Sequence, residues 1–267
     1  KLKVIPLKNN GELDYESFLK KLSNKTKVVF VNHVSNALGT INPVKKIISE
    51  SHKQGAAVLI DGAQASSHLK ADLQDLDVDF YTTSAHKLCG PTGIGMLYGK
   101  KEWLEKLPPY QGGGEMISEV TFEKTTYAEL PNKFEAGTPN IVGAIGFGNA
   151  LDYLNEVGFE KIEAYETELL DYATTKLKSI PNLKIYGEAK NKTSVISFNI
   201  GELHSYDLGT ILDKYGIAVR TGQHCAQPVM DFFGISGTVR ASFSFYNTKE
   251  EIDYFYESLK KAVAMLS

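Results

Sequence analysis

The stretch "SAHKLCGPTGIG", residues 84–95, sets a histidine and a lysine directly before a glycine-rich turn. Lys87 there is either a solvated surface charge or an amine placed to react. An amine that is desolvated or crowded by other cations becomes a usable nucleophile. A carboxylate elsewhere bears on the choice. Asp61 follows the apolar run "AVLI", where a carboxylate is costly without a cationic partner. By itself Asp61 reads first as a helix N-cap or as half of a buried ion pair. Together the two residues read differently. An Asp that pairs with a pyridinium nitrogen and a Lys that forms a Schiff base are what pyridoxal 5'-phosphate (PLP) enzymes require. The carboxylate keeps the ring nitrogen protonated, so the ring can draw electrons from a substrate. On this reading Lys87 is the reacting amine.

A third group lies far along the chain. Cys225 follows Gly222 and sits beside His224, with Arg220 nearby. A cysteine on an accessible loop with cationic neighbours is placed to ionise and attack. Cys89, two residues after Lys87, is expected instead to be a buried and inert structural thiol.

These groups need elements to hold them. Residues 27–34, "KVVFVNHV", have the β-rich character of a buried parallel strand. Residues 42–55, "NPVKKIISESHKQG", predict a helix with Asn42 as N-cap, Pro43 at its first position and Gly55 beyond its end. "AAVLIDGA" predicts the next strand, "VDFYTTSAHK" a third and "IGMLYG" a fourth. Parallel pairing of the first three would gather Asn36, Asp61, Gln64, Ser84, His86 and Lys87 along one sheet edge, where open α/β sheets bind ligands. The chain turns helical from about Val142 to Lys178, with Ile162, Tyr165, Leu169 and Tyr172 at helical spacing. After Pro181 the strands "TSVISFNI", "IAVRTG" and "GTVRASFSFYN" surround a helix "SYDLGTILDKYG" that Ser205 should cap. A final helix opens on the capping box Thr248–Glu251 and should bury Ile252, Phe255, Leu259 and Val263. Two domains are expected, 1–157 and 158–267: a large α/β domain with a mainly parallel sheet, and a smaller C-terminal α+β domain carrying the cysteine loop.

Composition narrows the function classes. The chain has 267 residues, 42% of them apolar and 23% charged, with a formal charge of −3. That balance is ordinary for a globular protein and argues against a nucleic-acid binder, which shows a basic excess. No apolar run reaches the roughly 20 residues that span a bilayer, and no signal peptide is visible, so no membrane partner is expected. The two cysteines have neither disulfide nor metal-ligand spacing, which favours a reducing, cytoplasmic setting and no metal. "GPTGIG" and "QGGGEMI" lack the strand–turn–helix context of a nucleotide loop and read as turns. His33, His52, His68 and His204 show no partner pattern and receive no function.

The segments "DGAQ", "SAHKLCGPTGIG", "FEAGTPN", "RTGQHCAQP" and "RASFSFYNT", in that order through nearly the whole chain, resemble the motifs of SUF-type (group II) cysteine desulfurases. These belong to the class V aminotransferase branch of the fold-type I PLP enzymes. The resemblance implies that Lys87 carries PLP as a Schiff base, Asp61 pairs with the ring nitrogen and Gln64 bonds the ring hydroxyl. It makes Ser84 and His86 phosphate contacts, and Thr138 a contact to the phosphate held by a second subunit of a homodimer. Asn36 and Arg240, with Arg220, would hold the substrate carboxylate, a task a bidentate guanidinium suits. Cys225, beside His224, would take sulfur from L-cysteine, leaving a persulfide and L-alanine. A sulfur-acceptor protein in iron–sulfur cluster assembly would then receive it. The short loop from "RTG" to "ISGTVR" resembles group II. Gln223 departs from it, since many relatives have a histidine there.

Two alternatives stay open. One is a selenocysteine lyase or another class V lyase, with L-selenocysteine as substrate. The other is an inactive, truncated fragment that acts only in partner binding. The family carries a further N-terminal segment, with a ring-stacking histidine and a phosphate cup, that has no counterpart here. On that expectation the strands at residues 28–31 and 58–60 should be partly exposed, and the chain alone should hold its cofactor poorly.

Overall fold

The structure, a computed structural model, describes residues 1–266. The chain opens with α1 (Tyr15–Lys21), β1 (Val28–Asn32), α2 (Val44–Lys53), β2 (Ala57–Asp61), α3 (Leu73–Leu76), β3 (Phe80–Ser84) and β4 (Gly95–Gly99). It continues with α4 (Lys101–Lys106), the hairpin β5 (Ile117–Val120) and β6 (Thr125–Tyr127), then α5 (Ile141–Val157) and α6 (Phe159–Lys178). The C-terminal part comprises β7 (Leu183–Tyr186), β8 (Val195–Ile200), α7 (Ser205–Lys214), β9 (Arg220–Gly222), α8 (Gln227–Phe233), β10 (Thr238–Ser242) and α9 (Lys249–Leu266).

The first sheet has the order β1-β2-β3-β4. β1 pairs with β2 and β2 with β3 in parallel, while β4 returns antiparallel along β3. The carboxyl ends of three adjacent strands therefore meet at one edge, neighbours about 4.8 Å apart. Alternation decides which side chains are covered. Val58, Ile60 and Tyr81 point to one face, where Val44 and Ile48 of α2 bury them. Val28 (43% exposed), Phe30 (70%) and Leu97 (59%) lie on the other face. The expected exposure of residues 28–31 and 58–60 is thus half right: it holds for Val28 and Phe30, whereas Val58 and Ile60 are fully buried. Period two, not strand membership, sets exposure.

Two expected caps are corrected. Asn42 does not cap α2; its Nδ2 donates to the backbone and side-chain oxygens of Asn32, and Pro43 occupies the cap position. Ser205 is the first residue of α7, which begins after His204 without a side-chain cap. The capping box at α9 forms as expected, Thr248 Oγ1 accepting from Glu251 N and Glu251 Oε2 from Thr248 N. The single helical run splits at Gly158, whose φ of +91° is one a side chain would resist.

The second sheet, β7-β8-β10-β9, is antiparallel throughout. α6, α7 and α9 pack on it through Leu169, Leu177, Leu208, Leu212, Phe255 and Leu259 against Ile196, Phe198 and Val239. Val263 is only partly buried at the rim of this core. The expected C-terminal unit 158–267 takes in this sheet, and its last residue lies outside the described ones.

Tyr81 locks the exit of β2. A Cβ on Gly62 would stand 2.0 Å from the Tyr81 ring, so only glycine lets the chain turn there. The Tyr81 hydroxyl lies 3.1 Å from His33 Nδ1. Burial pushes Tyr81 up to about 12 and His33 down to about 4. Gly62→Ala should therefore cost about 1–3 kcal/mol or more in urea unfolding, and Tyr81→Leu added to it should recover part of the loss; no loss would contradict this packing. His33 binds a proton more tightly unfolded, near 6.5, than folded, near 4. Its contribution is fully present above about pH 6.5 and is lost as pH falls toward 4, by about 1.4 kcal/mol per pH unit. Denaturant titrations across that window should show the slope in the parent and a smaller one in His33→Gln.

Candidate active site

Each of the three parallel strands delivers polar groups just past its end. β1 runs into the loop bearing Asn36, β2 ends on Asp61 with Gln64 three residues on, and β3 ends on Ser84. Ser84 leads directly into a 3-10 turn, Ala85–Lys87. That turn is anchored by Ala85 and Leu88, both buried with Phe147, Leu154 and Ile162. The backbone N–H groups of Leu88 and Gly90 both donate to the Ala85 carbonyl. Lys87 is half-buried between these anchors, and its Nζ makes no hydrogen bond or ion pair with any described residue. Asp61 is exposed rather than buried, and its Oδ1 accepts from Ala63 N at 2.9 Å. Its Oδ2 receives no hydrogen bond, and it has no cationic partner among the described residues. Gln64 Nε2 lies 3.1 Å from His68 Nε2. His86 and Thr138 are exposed, and neither they nor Ser84 make a side-chain hydrogen bond among the described residues.

The cysteine loop joins β9 to α8. Arg220 on β9 stands directly across from Arg240 on β10, which sets two guanidinium groups beside the loop. Arg240 Nη1 donates to the Asn36 carbonyl at 2.7 Å, and Asn36 Nδ2 donates to the His224 carbonyl at 2.6 Å. Burial and Arg220 hold Arg240 below its ordinary value, and its Nε is buried without a partner. Cys225 is exposed, with Sγ 3.5 Å from Arg220 Nη2. His224 and Cys225 both have a φ of +56°, which costs about 1–3 kcal/mol per residue and persists only where the surroundings hold it. Here the holding groups are Asn36 and Thr238, whose Oγ1 lies 2.8 Å from His224 Nε2.

His224 is not a cation beside Cys225, contrary to the expectation from sequence. It is 2% exposed, and burial, Arg240 and Arg220 push it down to about 4. The ring is neutral near pH 7, and Arg220 is the cationic neighbour of the sulfur. Cys89 also departs from expectation: it is exposed, with a φ of +58°, although burial still pushes its thiol up.

The structure thus unites Asn36, Arg220, His224, Cys225 and Arg240 by direct contacts. Asp61, Gln64, Ser84 and Lys87 share the sheet edge, and Thr138 stands apart on the approach to α5. Sequence reasoning missed His68 and Glu166. His68 Nδ1 lies 2.6 Å from Glu166 Oε2, and both are buried. A signal was present: Glu166 falls on the apolar stripe Ile162, Leu169, Ala173 and Leu177 of α6, where a carboxylate must find donors. His68 follows Gln64 by one helical turn.

Residues 1–255 match the family model described as aminotransferase class-V. The chain is 49% identical over 260 residues to a probable cysteine desulfurase of Halalkalibacterium halodurans, covering 97% of this chain and 64% of that protein. It is 49% identical over 253 residues to a cysteine desulfurase of Cronobacter sakazakii, covering 94% and 62%. The chain therefore spans just under two thirds of the length of these curated relatives. Among solved structures, the cysteine desulfurase CsdA from Escherichia coli superposes with a TM-score of 0.94 at 38% identity, covering 98% of this chain and 65% of that one. The apo cysteine desulfurase from Thermococcus onnurineus NA1 gives 0.95 at 39%, covering 100% and 67%. The α/β fold with a mostly parallel sheet expected from the sequence is the fold of these enzymes. The chain belongs to the aminotransferase class-V family.

Proposed function

We propose that this chain carries the lysine, the acid and the cysteine loop of a PLP-dependent cysteine desulfurase, which converts L-cysteine to L-alanine and a persulfide on Cys225. The observation that carries the reading is the exposed Cys225 sulfur held 3.5 Å from the Arg220 guanidinium, on a loop tied to the strand-end edge through Asn36. Sulfur chemistry is served by an accessible thiol beside a cation, and Cys89 has no contact with a cationic group among the described residues.

The residues at the edge fit the cofactor. Lys87 offers an amine without a partner, Asp61 a free carboxylate oxygen, and Gln64 a second amide N–H. When bound, PLP supplies a conjugated electron sink that makes the substrate's C–S bond labile. Asp61 would hold a proton on the ring nitrogen, and Gln64 would donate to the ring oxygen. Ser84 and His86 would receive the phosphate. Arg240 would donate to the substrate carboxylate, because its buried Nε has no partner among the described residues and an unmet buried donor costs about 1–3 kcal/mol until it finds an acceptor. Neutral His224 would keep the loop in its left-handed shape, with the Arg220 guanidinium beside the attacking sulfur. Cys225 would take the substrate sulfur in a new S–S bond as the substrate's C–S bond breaks, the bonding pair staying with the carbon, which takes up a proton to become the methyl group of L-alanine.

Exposure supports two further parts of the proposal. Ile141, Val142 and Ile145 on α5, which follow Thr138 closely in the chain, and Val120 and Phe122 on the β5–β6 hairpin are exposed apolar residues, which suits packing against a second copy. The open position of Cys225 leaves its sulfur within reach of an acceptor protein, with iron–sulfur cluster assembly as the destination. Among the described residues no helix is long and apolar enough to cross a membrane.

Borohydride reduction of the PLP-loaded protein, followed by peptide mapping, should place the pyridoxyl group on Lys87; finding it on Lys100 or Lys101 would sink the assignment. Cys225→Ala should keep that label yet form no persulfide, with desulfurase turnover reduced about a thousandfold or more. Turnover equal to the parent would make Cys225 a structural thiol.

A further inference from the structure

Gln64 does not stand alone at the sheet edge. Its Nε2 faces His68 Nε2 at 3.1 Å, and His68 Nδ1 faces Glu166 Oε2 at 2.6 Å. His68 is 7% exposed and Glu166 3%, so water does not mediate these contacts. Two facing nitrogens form a hydrogen bond only if one carries a proton and the other a lone pair. An amide nitrogen has no lone pair to give. His68 Nε2 is therefore the acceptor, and the ring proton sits on Nδ1, where it is donated to Glu166.

Glu166 is built to accept it. Its Oε1 takes the Ser244 hydroxyl at 3.1 Å and the Phe245 N–H at 3.2 Å. The Ser194 hydroxyl stands between the Phe243 carbonyl at 2.5 Å and Glu166 Oε2 at 3.3 Å, with one proton for the two. A carboxylate ringed by this many donors is placed to accept, and the imidazole nitrogen that faces it is the one that carries the ring proton. The tautomer in turn fixes the amide. Turned over, the Gln64 carboxamide would set its Oε1 against the bare lone pair of His68 Nε2.

We propose that His68, held as its Nδ1–H tautomer by Glu166, is a positioning residue that locks the Gln64 carboxamide with Nε2 toward His68, leaving the second N–H of Nε2 for the ring oxygen of the cofactor. The cofactor end of this statement rests on the PLP reading above. The chain of contacts runs from the edge of the parallel sheet to α6 and to the segment after β10, so the C-terminal half sets the direction of a donor in the N-terminal half.

Long-range proton–nitrogen NMR spectra of the 15N-labelled chain, without cofactor, read the tautomer directly. The expected result near neutral pH is a protonated Nδ1 and a bare Nε2 on His68, with Gln64 amide protons slowed in exchange. Glu166→Gln keeps the shape and removes the charge. It should populate the opposite tautomer and speed Gln64 amide exchange about tenfold. His68→Phe should speed the exchange as well. An imidazolium or an Nε2–H tautomer in the parent overturns the proposal, and so does an unchanged tautomer in Glu166→Gln. With PLP added, Glu166→Gln should raise the pH midpoint of the bound cofactor's visible band by about 0.5–1 unit, because a donor to the ring oxygen is lost. Gln64→Leu should do the same, without addition in the double variant. Absence of any visible band in the parent would count against the PLP reading, and the tautomer and exchange results would still decide the proposal about His68.

Discussion

The hydrogen bonds that Arg240 and Asn36 make across the molecule are the constraint on which the site depends. Asn36 lies past the first strand of the parallel sheet, while Arg240 and His224 belong to the antiparallel sheet and its loop. The Asn36 carbonyl takes the guanidinium, and its side chain takes hold of the His224 backbone. Without that clasp the two consecutive left-handed residues at 224 and 225 would relax toward ordinary backbone. Cys225 would then lose its position beside Arg220. The clasp also explains how Arg240 can stand half-buried next to a second arginine: the Asn36 carbonyl offsets part of the cost.

Buried carboxylates do similar work at two other points. Glu166 gathers donors from the loop after β2 and from the loop after β10, so the same residue binds both halves. Asp79 gathers donors at the opposite end of the parallel sheet, all from the N-terminal half. Its oxygens accept from Val58 N at 2.7 Å, His52 Nε2 at 2.8 Å and Trp103 Nε1 at 3.0 Å, with Lys100 at 3.4 Å. A charge buried among several fixed donors is satisfied only in one arrangement, which makes such groups set geometry more than stability. The proposed site therefore lies at an edge fixed from both ends of the strands.

Much of this was legible in the sequence. The strands ending in Asp61 and Ser84 could be read from short apolar runs, and parallel pairing then brought Lys87 and Asp61 to one edge. The α9 capping box was legible because both partners lie within four residues. What stayed hidden depended on distant partners. Asn42 looked like a cap because the oxygens of Asn32 that it serves instead are not visible from local spacing. His224 looked like a cation because nothing local shows that it is buried between two arginines. The long helical run after Val142 concealed a break, since Gly158 is one glycine among several and only its positive φ distinguishes it. The pairing of His68 with Glu166 joins residues 98 apart in sequence, and only the lone acid on an apolar stripe hinted at it.

Amide hydrogen exchange across the cysteine loop, residues 222–226, in the parent and in Arg240→Gln tests the clasp most directly. Losing the bond to the Asn36 carbonyl should free the loop, so that these amides exchange about tenfold faster while the buried core of α9 is unchanged. Loop exchange that is the same in both proteins would contradict this, and the position of Cys225 would then have to be held by something other than Arg240 and Asn36.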